Sequence, residues 1–385
     1  MATIKNTFLK WSSYFHSTGV LLLVVTVVSL FLSNSAYSEN YTQFWTIERF
    51  SFSGHKANFL FLINDLLMAV FFLNVGLEIK RELLIGELSS FKKSITPIVA
   101  ALGGMLIPAL IYYALNFNAE FEKGWGIPMA TDIAFAVAVL SLAGKHLPSG
   151  LKLFLMSLAI IDDLGAVIVI AVFYSQQLFL NYLLYAAVVF CFMFSMNLLK
   201  IKNLIYYLLL GLIAWYFILC SGVHATIAGV LTAFFIPLND VSGSGSPLER
   251  LQNILNVPVD YLILPLFAMA NTAMVISFDG SIEWFSFATI GVCLGLMLGK
   301  PLGIYYATKL VVKLNIGKLP DGCDFKMIAG AGLLGGIGFT MSIFILMLAF
   351  PSHEIQTTLK CAVLFSSFVM GIVGFAWLRK TSASE

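Results

Sequence analysis

The sequence predicts an all-α polytopic membrane protein with about twelve membrane-spanning helices. Of its 385 residues, 59% are apolar and only 11% are charged, and the mean hydropathy is +0.93. A water-soluble domain typically spends about a quarter of its residues on Asp, Glu, Lys and Arg. The composition therefore excludes an ordinary soluble surface, and the small net charge of +2 gives no reason to expect a nucleic-acid partner.

The apolar runs have the length that a bilayer requires, about 20 residues each, and short polar turns separate them. A cleaved signal peptide is the alternative for the first run, residues 20–32, but the many later runs favour an uncleaved helix. No linker is long enough to separate two soluble domains, so residues 1–385 are interpreted as a single membrane transporter domain. The runs centre near residues 22, 70, 105, 132, 163, 188, 211, 229, 268, 298, 338 and 368.

Lys and Arg are distributed unevenly between the two sides of the membrane. If the N-terminus is cytoplasmic, the cytoplasmic segments hold 17 of the 22 Lys and Arg residues, the outer segments hold four, and Lys300 lies within a span. This bias follows the positive-inside rule. It predicts that both termini are cytoplasmic, which agrees with an even number of spans.

One outer segment, residues 41–54 (YTQFWTIERFSFSG), has β-branched and aromatic residues in partial alternation and ends at Ser-Gly. This pattern predicts a small β-hairpin at the outer surface. An irregular loop with interfacial aromatic residues is the alternative.

Four ionisable residues, Asp132, Asp162, Asp163 and Lys300, fall well inside predicted spans. A charged side chain at the bilayer centre costs roughly 2.5–3.5 kcal/mol even on a lenient scale, so each is a candidate functional residue. Adjacent residues on an α-helix point about 100° apart, so Asp162 and Asp163 cannot share one pocket in the same way. Lys300 is expected to pair with one of them, and the other is then able to titrate or to hold an ion. A permanent ion-pair cluster with a purely structural role is the alternative.

The stretch GWGIPMATDIAF, residues 124–135, interrupts one span. Pro128 removes a backbone donor, and Thr131 and Asp132 are typical N-cap residues followed by an apolar run. A helix that stops and restarts beside a buried acid is typical of the discontinuous helices of transporters. A helix that is merely kinked is the alternative.

A second span is interrupted by the glycines of GAGLLGGIGFTMSIF, residues 330–344, among them Gly336 and Gly338, which precede Thr340. Glycines also permit close helix packing in membranes, so this pattern is weak by itself. Two interrupted spans in the two halves of one chain nevertheless indicate inverted-topology repeats, with the two discontinuous helices crossing at mid-membrane.

Six motifs occur along the chain in the order GWGIPMATDIAFA, LAIIDDLGAV, SGVHATIAGV, LILPLFAMAN, LGKPLG and GGIGFTMSIFI. Together they resemble the bacterial NhaA family of sodium/proton antiporters, itself an example of inverted repeats, and the resemblance runs from about Asn64 to Arg379. It implies an antiporter, not an enzyme, that exports Na⁺ or Li⁺ in exchange for protons. It also implies a homodimer in the bacterial inner membrane, a lipid environment without nucleic acid, and no cofactor.

The resemblance further implies roles for single residues of this chain. Asp162, Asp163 and Thr131 match the Na⁺/H⁺ site, and Asp132 and Lys300 match the charges that offset the half-helix dipoles. The positions that match the family's second broken helix are Gly336, Gly338 and Thr340, and those that match its pH response are Glu78, Arg81, Glu82 and His224.

The chain departs from the family pattern in one cytoplasmic segment, SPLERLQNILNVPVD (246–260), which has no histidine and carries Gln252, Asn253 and Asn256. Here relatives often have titratable side chains. We therefore expect pH regulation to depend on Glu78, Arg81 and Glu82 more than on histidine.

Exchange is expected to be electrogenic, because two buried acids need more than one proton when Na⁺ leaves.

Three other interpretations use the same buried acids. A cation-coupled solute symporter needs an additional pocket for an organic substrate. An intramembrane aspartyl protease needs its two acids on different helices, usually in a GxGD context that this sequence lacks. A purely structural membrane protein gives no reason for acids and a lysine at the centres of several spans.

Overall fold

Apolar helices make up almost all the regular structure of the protein. The computed structural model describes residues 2–52, 55–144, 147–175, 178–238, 246–276, 284–350 and 352–382. In chain order the α-helices are α1 (Ala2–Ser33), α2 (Ser38–Thr46), α3 (Phe59–Phe61), α4 (Met68–Leu84), α5 (Phe91–Leu115), α6 (Ile133–Ala143), α7 (Ser149–Phe173), α8 (Leu180–Leu198), α9 (Leu204–Ser221), α10 (Ile227–Phe235), α11 (Pro247–Pro258), α12 (Leu264–Asn271), α13 (Phe287–Leu294), α14 (Lys300–Lys313), α15 (Phe325–Gly335), α16 (Phe339–Ala349) and α17 (His353–Ser382).

Several of these helices are joined by short turns of other helical types. The π-helical turns are Leu62–Leu67, Val259–Ile263 and Gly295–Gly299, and the 3₁₀ helices are Glu87–Ser89 and Glu122–Met129. A π turn adds a residue to a helix and re-aims the side chains beyond it, which is why such turns are frequent at functional sites. The turn Gly295–Gly299 directly precedes Lys300.

Within the described residues, nine helices are long and apolar enough to cross a membrane, and counting each of two bent helix pairs as one span gives up to eleven. The prediction of about twelve spans is therefore not confirmed. The predicted span near residue 229 is the reason for the difference, because α10 has only nine residues. At 1.5 Å per residue it is about 14 Å long, roughly half of the hydrocarbon thickness of a bilayer.

Two short strands follow α2. The strands β1 (Phe50–Phe52) and β2 (His55–Ala57) pair antiparallel, with Phe50 opposite Ala57. They lie within and just beyond the segment for which the sequence predicts a hairpin. Its position at the outer face of the membrane stays a prediction.

The chain divides into two compact units, each assembled from segments that are distant in sequence. The first comprises Met1–Asn34, Ser90–Ala166 and Met274–Glu385, and the second comprises Ser35–Ser89 and Val167–Ala273. A single transporter domain over residues 1–385 stays a prediction.

In the first unit, paired glycines bring α5 and α14 together. A Cβ added to Gly303 would lie 2.2 Å from the carbonyl oxygen of Gly103, and one added to Gly103 would lie 2.5 Å from that of Gly303. Helices approach this closely only where side chains are absent, as in the small-residue contacts of membrane helices. This contact fixes the helix that carries Lys300.

In the second unit, the short helix α10 packs on α4 and is anchored at its C-terminal end. A Cβ on Gly229 would lie 2.1 Å from the carbonyl oxygen of Ala69. The ammonium group of Lys80 donates to the carbonyls of Phe234 and Ile236, at 2.7 and 2.6 Å. A cation at these carbonyls satisfies helix-end acceptors that have no partner within the helix.

Candidate functional site

The first unit contains two interrupted helices, where the sequence predicts them. The 3₁₀ helix Glu122–Met129 ends before an extended segment, in which Ala130 has ψ 150° and Asp132 has ψ 101°, and α6 then begins at Ile133. The other pair, α15 and α16, is separated by residues 336–338 and bent by 45°. The first span is therefore broken by extended backbone and is not a kinked continuous helix.

The two interruptions meet through their backbones and through Asp132. The amide of Asp132 donates to the carbonyl of Ile337 at 2.7 Å. The Asp132 carboxylate accepts from the amide of Phe135 at 2.9 Å and from the amide of Thr340 at 3.2 Å, and the Thr340 hydroxyl donates to it at 2.5 Å. Asp132 is thus the N-cap of α6 and also accepts from the first turn of α16. One carboxylate offsets the positive ends of two half-helices.

The side chain of Lys300 lies at the C-terminal end of a helix, whereas that of Asp132 lies at two N-terminal ends. Its ammonium donates to the carbonyl of Met129, the last residue of the 3₁₀ helix, and lies 2.8 Å from Oδ2 of Asp162. Both side chains are completely buried. The lysine therefore satisfies a helix C-terminal carbonyl and forms an ion pair with Asp162, which is one of the two pairings that the sequence allows.

Thr131 connects this ion pair to the second broken helix. Its hydroxyl lies 2.6 Å from Oδ2 of Asp162 and 3.0 Å from the carbonyl oxygen of Gly335, the last residue of α15. A hydroxyl has one proton to donate and two lone pairs that accept. Thr131 can therefore contribute an oxygen to an ion at this point while it remains hydrogen-bonded to a helix end.

Asp163 follows Asp162 on α7 and is also buried, with 3% of its surface exposed. It interacts electrostatically with Lys300. Lys300 carries one positive charge and cannot balance both carboxylates. In addition, Oδ1 of Asp162 accepts no hydrogen bond from the described part of the chain, so its lone pairs can face an ion. The cluster combines hard oxygen donors from two carboxylates with a single ammonium group, a chemistry suited to a proton or a small hard cation.

At two positions of the second interruption, Gly336 and Gly338, neighbouring atoms leave too little space for a side chain. A Cβ on Gly336 would lie 2.5 Å from the carbonyl oxygen of Leu296, and one on Gly338 would lie 2.1 Å from Oγ of Ser342. The Ser342 hydroxyl itself donates to the carbonyl of Ile127 at 2.8 Å. A side chain at Gly336 would press on the π turn that precedes Lys300, and one at Gly338 would press on the Ser342 hydroxyl that contacts the other broken helix.

Comparison with known proteins then decides the family. The profile of the family described as Na⁺/H⁺ antiporter 1 matches residues 10–378. This chain belongs to that family. It is 48% identical to the Na⁺/H⁺ antiporter NhaA 1 of Flavobacterium johnsoniae over 376 residues, which cover 98% of this chain and 97% of the relative.

Other members of the family are similarly close. The Na⁺/H⁺ antiporter NhaA of Flavobacterium psychrophilum is 48% identical over 363 residues, 94% of this chain and 93% of the relative. That of Cytophaga hutchinsonii is 47% identical over 366 residues, 94% of this chain and 92% of the relative. The family resemblance of the sequence motifs is therefore confirmed, and these relatives carry the names of transporters and not of enzymes.

The four residues that match the family's pH response all lie in the second unit. Arg81 forms an ion pair with Glu82 at 3.0 Å and donates to the amide oxygen of Gln252 at 3.1 Å. Glu78 lies one helical turn before these residues on α4. The structure thus places these three side chains together at one end of α4.

His224 lies in the turn between α9 and α10, outside the helices that are long enough to span a membrane. Its Nε2 donates to the carbonyl of Tyr174 at 2.8 Å. Burial lowers the pKa of His224 below its usual value, and this hydrogen bond opposes the effect without cancelling it.

Three groups that contribute to the site could not be predicted from the sequence. The carbonyls of Met129 and Gly335 bind Lys300 and Thr131, but every residue has a carbonyl. Ser367, from α17, accepts a hydrogen bond from the amide of Phe339 at 3.1 Å. It is one of two adjacent serines in an apolar span, and serines are ordinary in membrane helices.

The Lys300–Asp162 pair predicts that Lys300→Ala lowers the melting temperature by several degrees in detergent. The variant leaves a buried carboxylate without its counter-charge, a change that typically costs about 3–5 kcal/mol. Thermal unfolding of purified protein measures the effect, with Lys309→Ala, an exposed lysine on the same helix, as the matched control.

The double variant Lys300→Ala/Asp162→Asn should melt above the single variant, because no carboxylate is then stranded. If Lys300→Ala melted like the parent, Lys300 would reach water instead of forming the buried pair.

Proposed function

We propose that this protein is a secondary active antiporter that exports Na⁺, or Li⁺, in exchange for protons and so serves Na⁺ and pH homeostasis. The names of its relatives supply the substrates. The observation that supports the assignment for this chain is the buried Lys300–Asp162 pair beside a second buried carboxylate, Asp163, at the crossing of two broken helices.

The proposed ion site uses Asp162, Asp163 and the hydroxyl of Thr131. Na⁺ is a hard cation and prefers such oxygen ligands, as the harder divalent cations do. Protons and Na⁺ compete for the same carboxylates, so binding one displaces the other. If the site is exposed to the two sides of the membrane in turn, this competition becomes exchange, and no separate proton path is required.

Asp132 and Lys300 have a different proposed role. They offset the partial charges of the half-helix ends. This role is supported by their contacts, since Asp132 accepts from two helix N-terminal turns and Lys300 donates to a helix C-terminal carbonyl. Without these two side chains, the interrupted backbone would present uncompensated partial charges in an apolar interior.

The electrogenic scheme has both acids take up a proton when Na⁺ leaves, one proton more than is needed to replace the charge of Na⁺. With Na⁺ bound, Na⁺ and Lys300 together offset Asp162 and Asp163. When Na⁺ leaves, one proton binds Asp163 and a second is shared by the Asp162–Lys300 pair, which titrates as a unit. Two protons then load for each Na⁺ released, and one net charge crosses the membrane in each cycle.

We also propose the arrangement of the chain in the membrane. The protein is a multi-pass protein of the bacterial inner membrane, with both termini cytoplasmic, as the distribution of Lys and Arg indicates. The two units act as one transporter with inverted-topology repeats and a total of about twelve membrane segments, among which α10 is a partial one. The strands β1 and β2 form an outer-face hairpin at the contact of a homodimer.

The first prediction for transport concerns Asp163. Its replacement by Asn removes both an ion ligand and a proton carrier, so Asp163→Asn should abolish Na⁺-driven proton movement. Proteoliposomes that contain only buffer, Na⁺ and an entrapped pH dye measure this directly. Asp324→Asn is the matched control, because it makes the same change at the N-cap of α15, where Asn also caps well. A folded Asp163→Asn protein with the parent's rate would contradict the proposed site.

Electrogenic exchange predicts that a membrane potential drives transport. One net charge per cycle corresponds to about 2.3 kcal/mol per 100 mV. The potential can be clamped in proteoliposomes with K⁺ and valinomycin, and the initial rate of Na⁺/H⁺ exchange should rise when the potential draws protons inward. An initial rate that does not change with the imposed potential would indicate one-for-one exchange and would exclude the two-proton scheme.

The pH response is predicted to depend on the cluster of Glu78, Arg81 and Glu82 more than on His224. Because the pKa of His224 is lowered, its ring is neutral in the folded protein from about pH 7 to about pH 8, so its charge does not change there. His224→Ala should keep the parent's activation across this range, whereas Glu82→Gln, which removes the partner of Arg81, should shift it. Rates measured in steps of pH test both, and loss of activation in His224→Ala would reverse this ranking.

A further inference from the structure

The first turn of α16 lies in the apolar interior, and its amide groups need partners. The first four amides of any α-helix have no acceptor within the helix. A side chain at the N-cap position normally supplies one. Here the N-cap is Gly338, which has no side chain.

A capping residue at position 338 would displace neighbouring side chains. A Cβ at this position would lie 2.1 Å from Oγ of Ser342 and 3.0 Å from a side-chain carbon of Leu296. The Ser342 hydroxyl is in turn committed to the carbonyl of Ile127 in the other broken helix. The caps of α16 therefore come from elsewhere in the fold.

Two side chains from other helices supply them. Asp132 accepts from the amide of Thr340, as described above. Ser367, on α17, accepts from the amide of Phe339, the first residue of α16, at 3.1 Å. Ser367 is 4% exposed, so water does not compete readily for this hydrogen bond.

We propose that Ser367 is a positioning residue for the ion site. It holds the first turn of α16 and so fixes Thr340, whose hydroxyl donates to Asp132. Asp132 caps α6, and the residue before it, Thr131, contacts Asp162. The last helix, α17, thus belongs to the scaffold of the ion site through one hydroxyl. This inference rests on the proposed function only in taking Thr131 and Asp162 as ion ligands.

The change Ser367→Ala removes one oxygen atom and leaves the amide of Phe339 without its acceptor. The first turn of α16 then becomes more mobile, and the ion ligands are held less tightly. We expect the apparent KM for Na⁺ to rise about fivefold, the factor that corresponds to a lost cap, while kcat changes much less.

The test combines transport with amide hydrogen exchange. Transport by proteoliposomes gives KM and kcat for Na⁺. Amide hydrogen exchange, measured in detergent without Na⁺, reports the protection of the Phe339 amide independently of transport. Ser366→Ala is the matched control, because it removes an equally buried hydroxyl one residue away on the same helix. Ser367→Thr restores the hydroxyl and should recover both KM and protection of the Phe339 amide.

For Ser367→Ala we expect a raised KM and faster hydrogen exchange of the Phe339 amide. For Ser366→Ala we expect the KM and the hydrogen-exchange rate of the parent. An unchanged KM would overturn the inference, whether or not exchange became faster, because Ser367 would then not position the site. An equal rise of KM in Ser366→Ala would overturn it as well, since general loosening of α17 would explain both. A parent protein that moves no protons on Na⁺ addition would instead contradict the proposed function, while the exchange measurement would still report the cap.

Discussion

The structure of the proposed ion site depends on the neutralisation of helix ends that are buried away from water. Interrupting a helix in an apolar interior exposes amide and carbonyl groups that cost several kcal/mol each when they have no partner. Asp132 offsets the amide ends of α6 and α16, and Lys300 binds the carbonyl end at Met129. These two opposite charges allow extended backbone to exist beside buried acids. The glycines and the small polar side chains where the two interruptions meet complete that arrangement.

The same requirement explains why the acids are not equivalent. Asp162 is held at the interrupted helices, because Lys300 and Thr131 both contact its Oδ2. Asp163 points to another side of α7, about 100° away. One acid is therefore tied to the helix ends, and the other is a second buried carboxylate beside the same ammonium group. A difference of this kind between adjacent carboxylates is what an exchanger of protons and cations requires.

The sequence predicts a large part of this architecture. Pro128 and the N-cap type of Asp132 locate the first break, and the glycines before Thr340 locate the second, because backbone chemistry at these positions is local. The acid that pairs with Lys300 could not be predicted, since the choice depends on how α14 approaches α7 and not on either sequence alone. The sequence does not distinguish the segment near residue 229 from a full span, because α10 is as apolar as one but only nine residues long. Ser367 was missed because its role follows from the lack of a side chain on Gly338, far away in sequence.

The central claim is that Na⁺ and protons compete for a pair of acids of which one is bound to Lys300. The most direct measurement is the release of protons when Na⁺ is added to purified protein in weakly buffered detergent solution. We expect about two protons to be released for each Na⁺ bound by the parent, and clearly fewer by Asp163→Asn. Na⁺ binding by the parent without proton release, or equal release from the Asp163→Asn protein, would contradict the account.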